Sequence, residues 1–163
     1  MEIRSATPED IEAIRAIAET SWETDYPDHL SRETIEAGIE QWYDENVIQL
    51  ELASPRSILL VAEVDDRIVG FGHGHWAGPV GTIMRLYVQP DHRGQGIGSE
   101  LFDTLVEELR ESDIDRIQAM ALVGNEPGAA FYVSRGMERV GVEETAIGGD
   151  QYEEAIFELQ EEG

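Results

Sequence analysis

The sequence contains no cysteine and no lysine. Without cysteine there is no disulfide framework, no thiolate metal site and no thiol nucleophile. Without lysine a Walker A phosphate loop is excluded. No stretch approaches the ~18 apolar residues that cross a bilayer, so no membrane partner is expected. The opening MEIRSATPED lacks the basic segment and apolar core of a secretory signal, and the expectation is a cytoplasmic protein. Positive charge is scarce: eleven basic residues, all arginine, face 35 acidic ones, for a net charge of −24. A protein so short of basic surface is a poor partner for nucleic acid.

The surplus of acid carries its own implications. A charge of this size repels itself and opposes compaction in dilute buffer. Molar salt shortens the Debye length to roughly 3 Å and removes most of that penalty. The acidic, lysine-free composition therefore points to a halophilic protein from a salt-loaded cytoplasm. Long-range attraction favours cationic ligands such as amines. At 163 residues the chain is expected to form a single domain over 1–163.

Hydrophobic periodicity gives the element order β-α-α-β-β-β-α-β-α-β-β, an α/β mixture rich in hairpins around a central sheet. Glu2–Ala6 reads as a strand. Thr7-Pro8-Glu9-Asp10 opens a helix whose stripe is Ile11, Ile14, Ala18 and Trp22. Ser31 to about Ala53 reads as one further helical region, with Ile35, Ile39, Trp42 and Val47 on its apolar face. Ser57–Val64 is a continuous apolar run, a strand covered on both faces. Asp65-Asp66-Arg67 turns the chain into Ile68–Trp76, which places Gly70, Gly72 and Gly74 on one face. Val69, Phe71, His73 and His75 fall on the other. The glycine face admits close approach by a helix, another backbone or a ligand. Thr82–Val88 and Arg116–Leu122 read as strands, Gly96 to about Glu111 and Asn125–Arg135 as helices, and Glu138–Ala146 with Gln151–Leu159 as a last hairpin.

Arg93-Gly94-Gln95-Gly96-Ile97-Gly98 lies between a strand and a helix. Glycines there let the backbone turn tightly and aim N–H groups inward, and the helix N-terminus adds partial positive charge. Two readings fit the loop alone: a pyrophosphate cradle with Arg93 at its rim, or a glycine turn that holds nothing. The alternation of Gly94, Gly96 and Gly98 is not the dinucleotide fingerprint, and it comes too late in the chain for one.

Leu86-Tyr87-Val88-Gln89-Pro90-x-x-Arg93-Gly94-x-Gly96-Ile97-Gly98, followed by Asn125-x-x-x-Ala129-x-Phe131-Tyr132-x-x-x-Gly136-Met137, resembles the motif pair of the GNAT superfamily of N-acetyltransferases. The element order matches over essentially the whole chain. The resemblance implies a GNAT fold: a mostly antiparallel sheet with one splayed parallel strand pair, flanked by helices. It implies acetyl-CoA as cosubstrate, no metal, an amine as acceptor, and an acetyl transfer by direct attack. It leaves a homodimer open.

Mapped onto these positions, backbone groups of Leu86 and Val88, with Tyr87 between them, would pair with the pantetheine arm. The N–H groups from Arg93 through Gly94, Gln95, Gly96, Ile97 and Gly98 to Ser99 would hold the pyrophosphate. Asn125 would bond near the pantetheine or the acceptor. The Leu86 N–H would stabilise the oxyanion, and Tyr132 would protonate the leaving thiolate.

The sequence departs from the family pattern at one place. Many members carry a glutamate base at the start of the central strand, where this chain has Thr82. A coenzyme A-binding module without turnover is the alternative that this departure motivates. His73, His75, Asp150, Glu153 and Glu154 are the other proton acceptors in view. A metal at the His-x-His pair would lack a third ligand. In the acceptor region, Trp22 and Trp42 lie on helical stripes and read as core. Tyr43 lies beside Trp42, while Tyr26 and His29 in the intervening loop are the better candidates for acceptor contact.

Overall fold

The apolar runs find their partners in one mixed sheet. The computed structural model describes residues 1–25 and 30–159; the loop candidates Tyr26 and His29 lie outside them. The strands are β1 (Glu2–Ser5), β2 (Ser57–Val64), β3 (Arg67–Ala77), β4 (Val80–Val88), β5 (Arg116–Leu122), β6 (Met137–Ile147) and β7 (Asp150–Leu159). Their order across the sheet is β1-β2-β3-β4-β5-β7-β6. Every neighbouring pair is antiparallel except β4 and β5. The helices are α1 (Ile11–Asp25), α2 (Arg32–Tyr43), α3 (Glu45–Ala53), α4 (Ile97–Arg110) and α5 (Glu126–Ser134).

The helical region after Ser31 is two helices rather than one. Asp44 is extended (φ −55°, ψ 144°), and its side chain accepts from the Asn46 amide at 3.0 Å. A short carboxylate that can cap a new helix competes with continuation of the old one. The break resets the helical register. Tyr43 and Ile48 become the buried residues, while Trp42 and Val47 are only partly covered.

The two sheet faces carry two apolar clusters. On one, α4 packs Leu101, Leu105 and Leu109 over β3 and β4. The glycines of β3 make this possible: a Cβ on Gly72 would stand 2.7 Å from Leu105 Cδ1, and one on Gly70 3.2 Å from Leu101 Cδ1. The glycine face is thus a helix seat. On the other face, α1, α2 and α3 bury Ile14, Trp22, Ile39 and Ile48 against Val61 and Phe71.

Strict alternation along β3 fails at Val69. Ala62 pairs with Gly70 and Glu63 with Ile68, so Val69 is an extra residue. Such a bulge turns it from the face of Phe71 to the face of α4, where it is buried.

Candidate active site

A second bulge shapes the site. Gly74 of β3 pairs with Ile83 of β4 and His73 with Arg85, leaving Met84 without a register partner. The parallel ladder to β5 runs only from Val80–Arg116 to Ile83–Ala119. Beyond it, Met120–Leu122 continues to pair with β7 alone. A bulge bends its strand, and here the bend coincides with the point where β4 and β5 part.

The backbone exposed by that parting is defined. The Gln89 amide donates to Val69 O at 2.8 Å. By alternation, Leu86 and Val88 turn their N–H and C=O groups away from β3, into the gap. The Val88 carbonyl accepts from Arg93 Nε at 3.2 Å.

The gap widens into a cavity of about 500 Å³ that runs to the N-termini of α4 and α5. Eleven of the residues expected at a cofactor line it: Leu86, Tyr87, Val88, Arg93, Gly94, Gly96, Ile97, Gly98, Ser99, Asn125 and Tyr132. Gln95 does not; it is exposed. Gly94 (φ +80°) and Gly96 (φ +84°) hold the left-handed backbone that carries the chain into α4. A Cβ on either would meet nothing within 4 Å, so the loop is open above them. No side chain caps α4. Its first amides and its dipole are left to whatever enters. Gly98 serves packing instead, since a Cβ there would touch Phe131 at 3.4 Å.

Arg93 does not present a lone charge at the rim, as its place in the loop suggests. It forms two hydrogen bonds to the buried carboxylate of Asp25, at 2.8 and 3.2 Å, and so ties the end of α1 to the glycine loop. Asn125 caps α5 by accepting from the Gly128 amide at 3.0 Å. Tyr87 Oη accepts from Trp22 Nε1 at 3.0 Å, which holds the ring against α1. Tyr132 is 4 % exposed, among Phe102, Phe131 and Phe157, and burial raises its phenol pKa. The hydroxyl therefore keeps its proton at neutral pH.

Trp22 is fully buried, as its stripe predicts. Trp42 instead lines the cavity beside Tyr43. Between them sits Arg85, 4.8 Å from the Tyr43 ring centre and 5.8 Å from that of Trp42, with Glu51 of α3 accepting from it at 2.9 Å. His73 lies beside this pair, 3.7 Å from Glu51. Burial, and then the Arg85 charge, lower its pKa to about 3. Burial likewise lowers that of His75. Among the described residues there is no cluster of groups suited to a metal ion.

Sequence reasoning passed over Asp25, Arg85 and His92, all of which line the cavity. Asp25 sits at a helix end among many exposed acids, and nothing local marks it. Arg85 becomes visible only once the Met84 bulge and α3 are placed.

Three comparisons bear on this site. The acetyltransferase (GNAT) family profile matches residues 11–137. A spermidine N(1)-acetyltransferase of Thermoplasma acidophilum is 26% identical over 142 residues, covering 85% of this chain and 88% of that protein. A Bacillus subtilis protein assigned as a [ribosomal protein bS18]-alanine N-acetyltransferase is 29% identical over 102 residues, 62% of this chain and 67% of its own. The crystal structure of the PaiA N-acetyltransferase from Thermoplasma acidophilum, in complex with coenzyme A, superposes with a TM-score of 0.85 at 24% identity, over 98% of each chain.

Proposed function

The chain belongs to the acetyltransferase (GNAT) family, and from that premise we propose that it moves the acetyl group of acetyl-CoA onto a primary amine, of a small molecule or a protein N-terminus. The observation that carries this reading is the continuity of one cavity from an uncapped helix N-terminus to the splayed backbone of β4. An anionic pyrophosphate suits the first end and an extended amide-bearing arm the second. The names of the two relatives point to spermidine in one case and to an alanine of a ribosomal protein in the other, so both amine classes belong in the test.

The residues divide the work as follows. The amides from Arg93 to Ser99 hold the pyrophosphate, with the Arg93 charge shared between it and Asp25. The gap-facing groups of Leu86 and Val88, on either side of Tyr87, hold the pantetheine. The amine nitrogen attacks the thioester carbonyl, and the Leu86 N–H receives the developing oxyanion. Loss of one such donor costs ~10²–10³ in rate. Tyr132 gives its proton to the departing thiolate. The whole of 1–163 is read as one catalytic domain, working in a salt-rich cytoplasm without metal.

Thiol release in molar KCl tests the reading, with acetyl-CoA and a panel of spermidine, propylamine and an alanine-initiated peptide. Amine-dependent release is expected, together with a rise in melting temperature on adding acetyl-CoA. Stabilisation by acetyl-CoA without release from any amine would leave a binding module. Stronger stabilisation by ATP or NADH would remove coenzyme A from the account.

A further inference from the structure

The ammonium of an acceptor must lose a proton before it can attack, and Thr82 has no basic atom to take it. The structure separates the five remaining candidates. His73 is 6 % exposed and does not line the cleft. Asp150 and Glu153 are exposed and do not line it either. His75 reaches only a second cavity, of about 450 Å³, in the region of β3 to β7. Glu154 of β7 lines both that cavity and the cleft. The two spaces share Met84, Met120, Thr145 and Glu154, so Glu154 stands where they meet. Among the described residues, the one other carboxylate on the cleft is Asp25, and it is held by Arg93.

We infer that Glu154 is the general base of the acetyl transfer, and that the acceptor approaches it through the second cavity. This rests on the acetyltransferase reading. The Glu154 carboxylate takes one proton from the ammonium and becomes a carboxylic acid. The nitrogen lone pair then forms the C–N bond, and the thioester π electrons move onto oxygen. As the carbonyl re-forms, the C–S bond breaks and the thiolate takes the Tyr132 proton. The second nitrogen proton returns to the Tyr132 phenolate, and Glu154 releases its own to water. The balance is amide, thiol and one proton from ammonium and thioester.

The surroundings suit the task. Glu143 pairs directly with Glu154 across β6 and β7, and Glu143 and Glu144 are exposed at the second cavity, a route for the released proton. Thr145 and Glu143 on β6 and Arg85 on β4 act on Glu154 directly; Glu144 and His75 on β3 share the second cavity with it, and Tyr43 on α2 and Tyr132 on α5 share the cleft. Burial raises its pKa, a Thr145 hydrogen bond opposes this, Glu143 adds to it and Arg85 opposes it; the net shift is upward, toward the working pH of a base.

The test compares the intact wild-type chain with Glu154→Gln, using the same three amines and pH 6 to 10. At pH 7 the variant is expected to lose about 10²-fold in kcat/KM. The deficit should shrink as pH approaches the pKa of the amine, where solution supplies the free base. Binding of acetyl-CoA by calorimetry should change less than about twofold, because glutamine keeps the size of the side chain and the amides of the glycine loop are untouched. Glu154→Ala should regain rate on addition of imidazole. An active wild type with an unaltered Glu154→Gln overturns the inference alone. So does a loss of equal size at every pH with no rescue, the mark of a structural role. A wild type that acetylates none of the amines overturns the acetyltransferase reading and the inference with it.

Discussion

Tyr132 shows how one side chain can be legible in kind and unreadable in setting. Its spacing from Asn125 marks it; its enclosure by three phenylalanines does not show until α5 meets α4 and β7. A buried phenol whose pKa is raised rests with its proton on, and so enters the proposed reaction as the donor. Tyr132→Phe should therefore lower kcat about 10²-fold while the dissociation constant for acetyl-CoA holds. Stopped-flow turnover with calorimetry checks this, and an undiminished kcat would end the role. His73 makes the opposite case. Sequence reasoning admits it as a proton relay, but burial and then the Arg85 charge bring its pKa to about 3. It is therefore neutral at neutral pH. The folded value lies below the unfolded one, so His73 adds nothing to stability change above pH 6.5 and costs stability progressively as pH falls from there toward 3. Its ring protons should show no titration in an NMR series from pH 8 to 5. A midpoint near 6.5 would contradict the burial described here.

At the scale of elements, spacing predicts most strands and helices to within a residue or two, and it misses the irregularities. β2 and β5 fall where their apolar runs place them. The break at Asp44 and the bulges at Val69 and Met84 do not, because each depends on a competition that only neighbours decide. Gly38 illustrates the point. Inside α2, glycine is about 1 kcal/mol worse than alanine on propensity alone. The structure explains its presence: a Cβ there would run into the indole of Trp22, with Trp22 Cη2 2.9 Å away. That ring is fully buried and fixed by its bond to Tyr87, so it cannot yield cheaply. Overpacking of a rigid core costs ~1–3 kcal/mol. Gly38→Ala should thus destabilise by up to ~2 kcal/mol net, against its helix propensity. Urea unfolding at fixed KCl reads the result, and a raised midpoint would show that Trp22 moves freely.

The whole molecule is governed by charge and by topology. Eleven arginines cannot balance 35 acids. Several of the arginines are committed to internal pairs, such as Arg4 with Asp10, Arg85 with Glu51 and Arg93 with Asp25. The remaining excess repels itself, and screening relieves it. The melting temperature should rise between 0.1 and about 2 M KCl, as followed by circular dichroism; a fall would remove the halophilic reading. Composition by itself determined that excess, because charge counts need no coordinates. Periodicity determined the elements, because burial of one face imprints a period of two or 3.6 on the chain. The glycine loop and the Asn125 to Tyr132 spacing are legible for a related reason: backbone turns and helix caps are local. The splay of β4 from β5, the pairing of Arg93 with Asp25 and the meeting of two cavities at Glu154 were decided only by the tertiary structure. Each joins residues far apart in sequence, and no local pattern records which distant side chain will arrive.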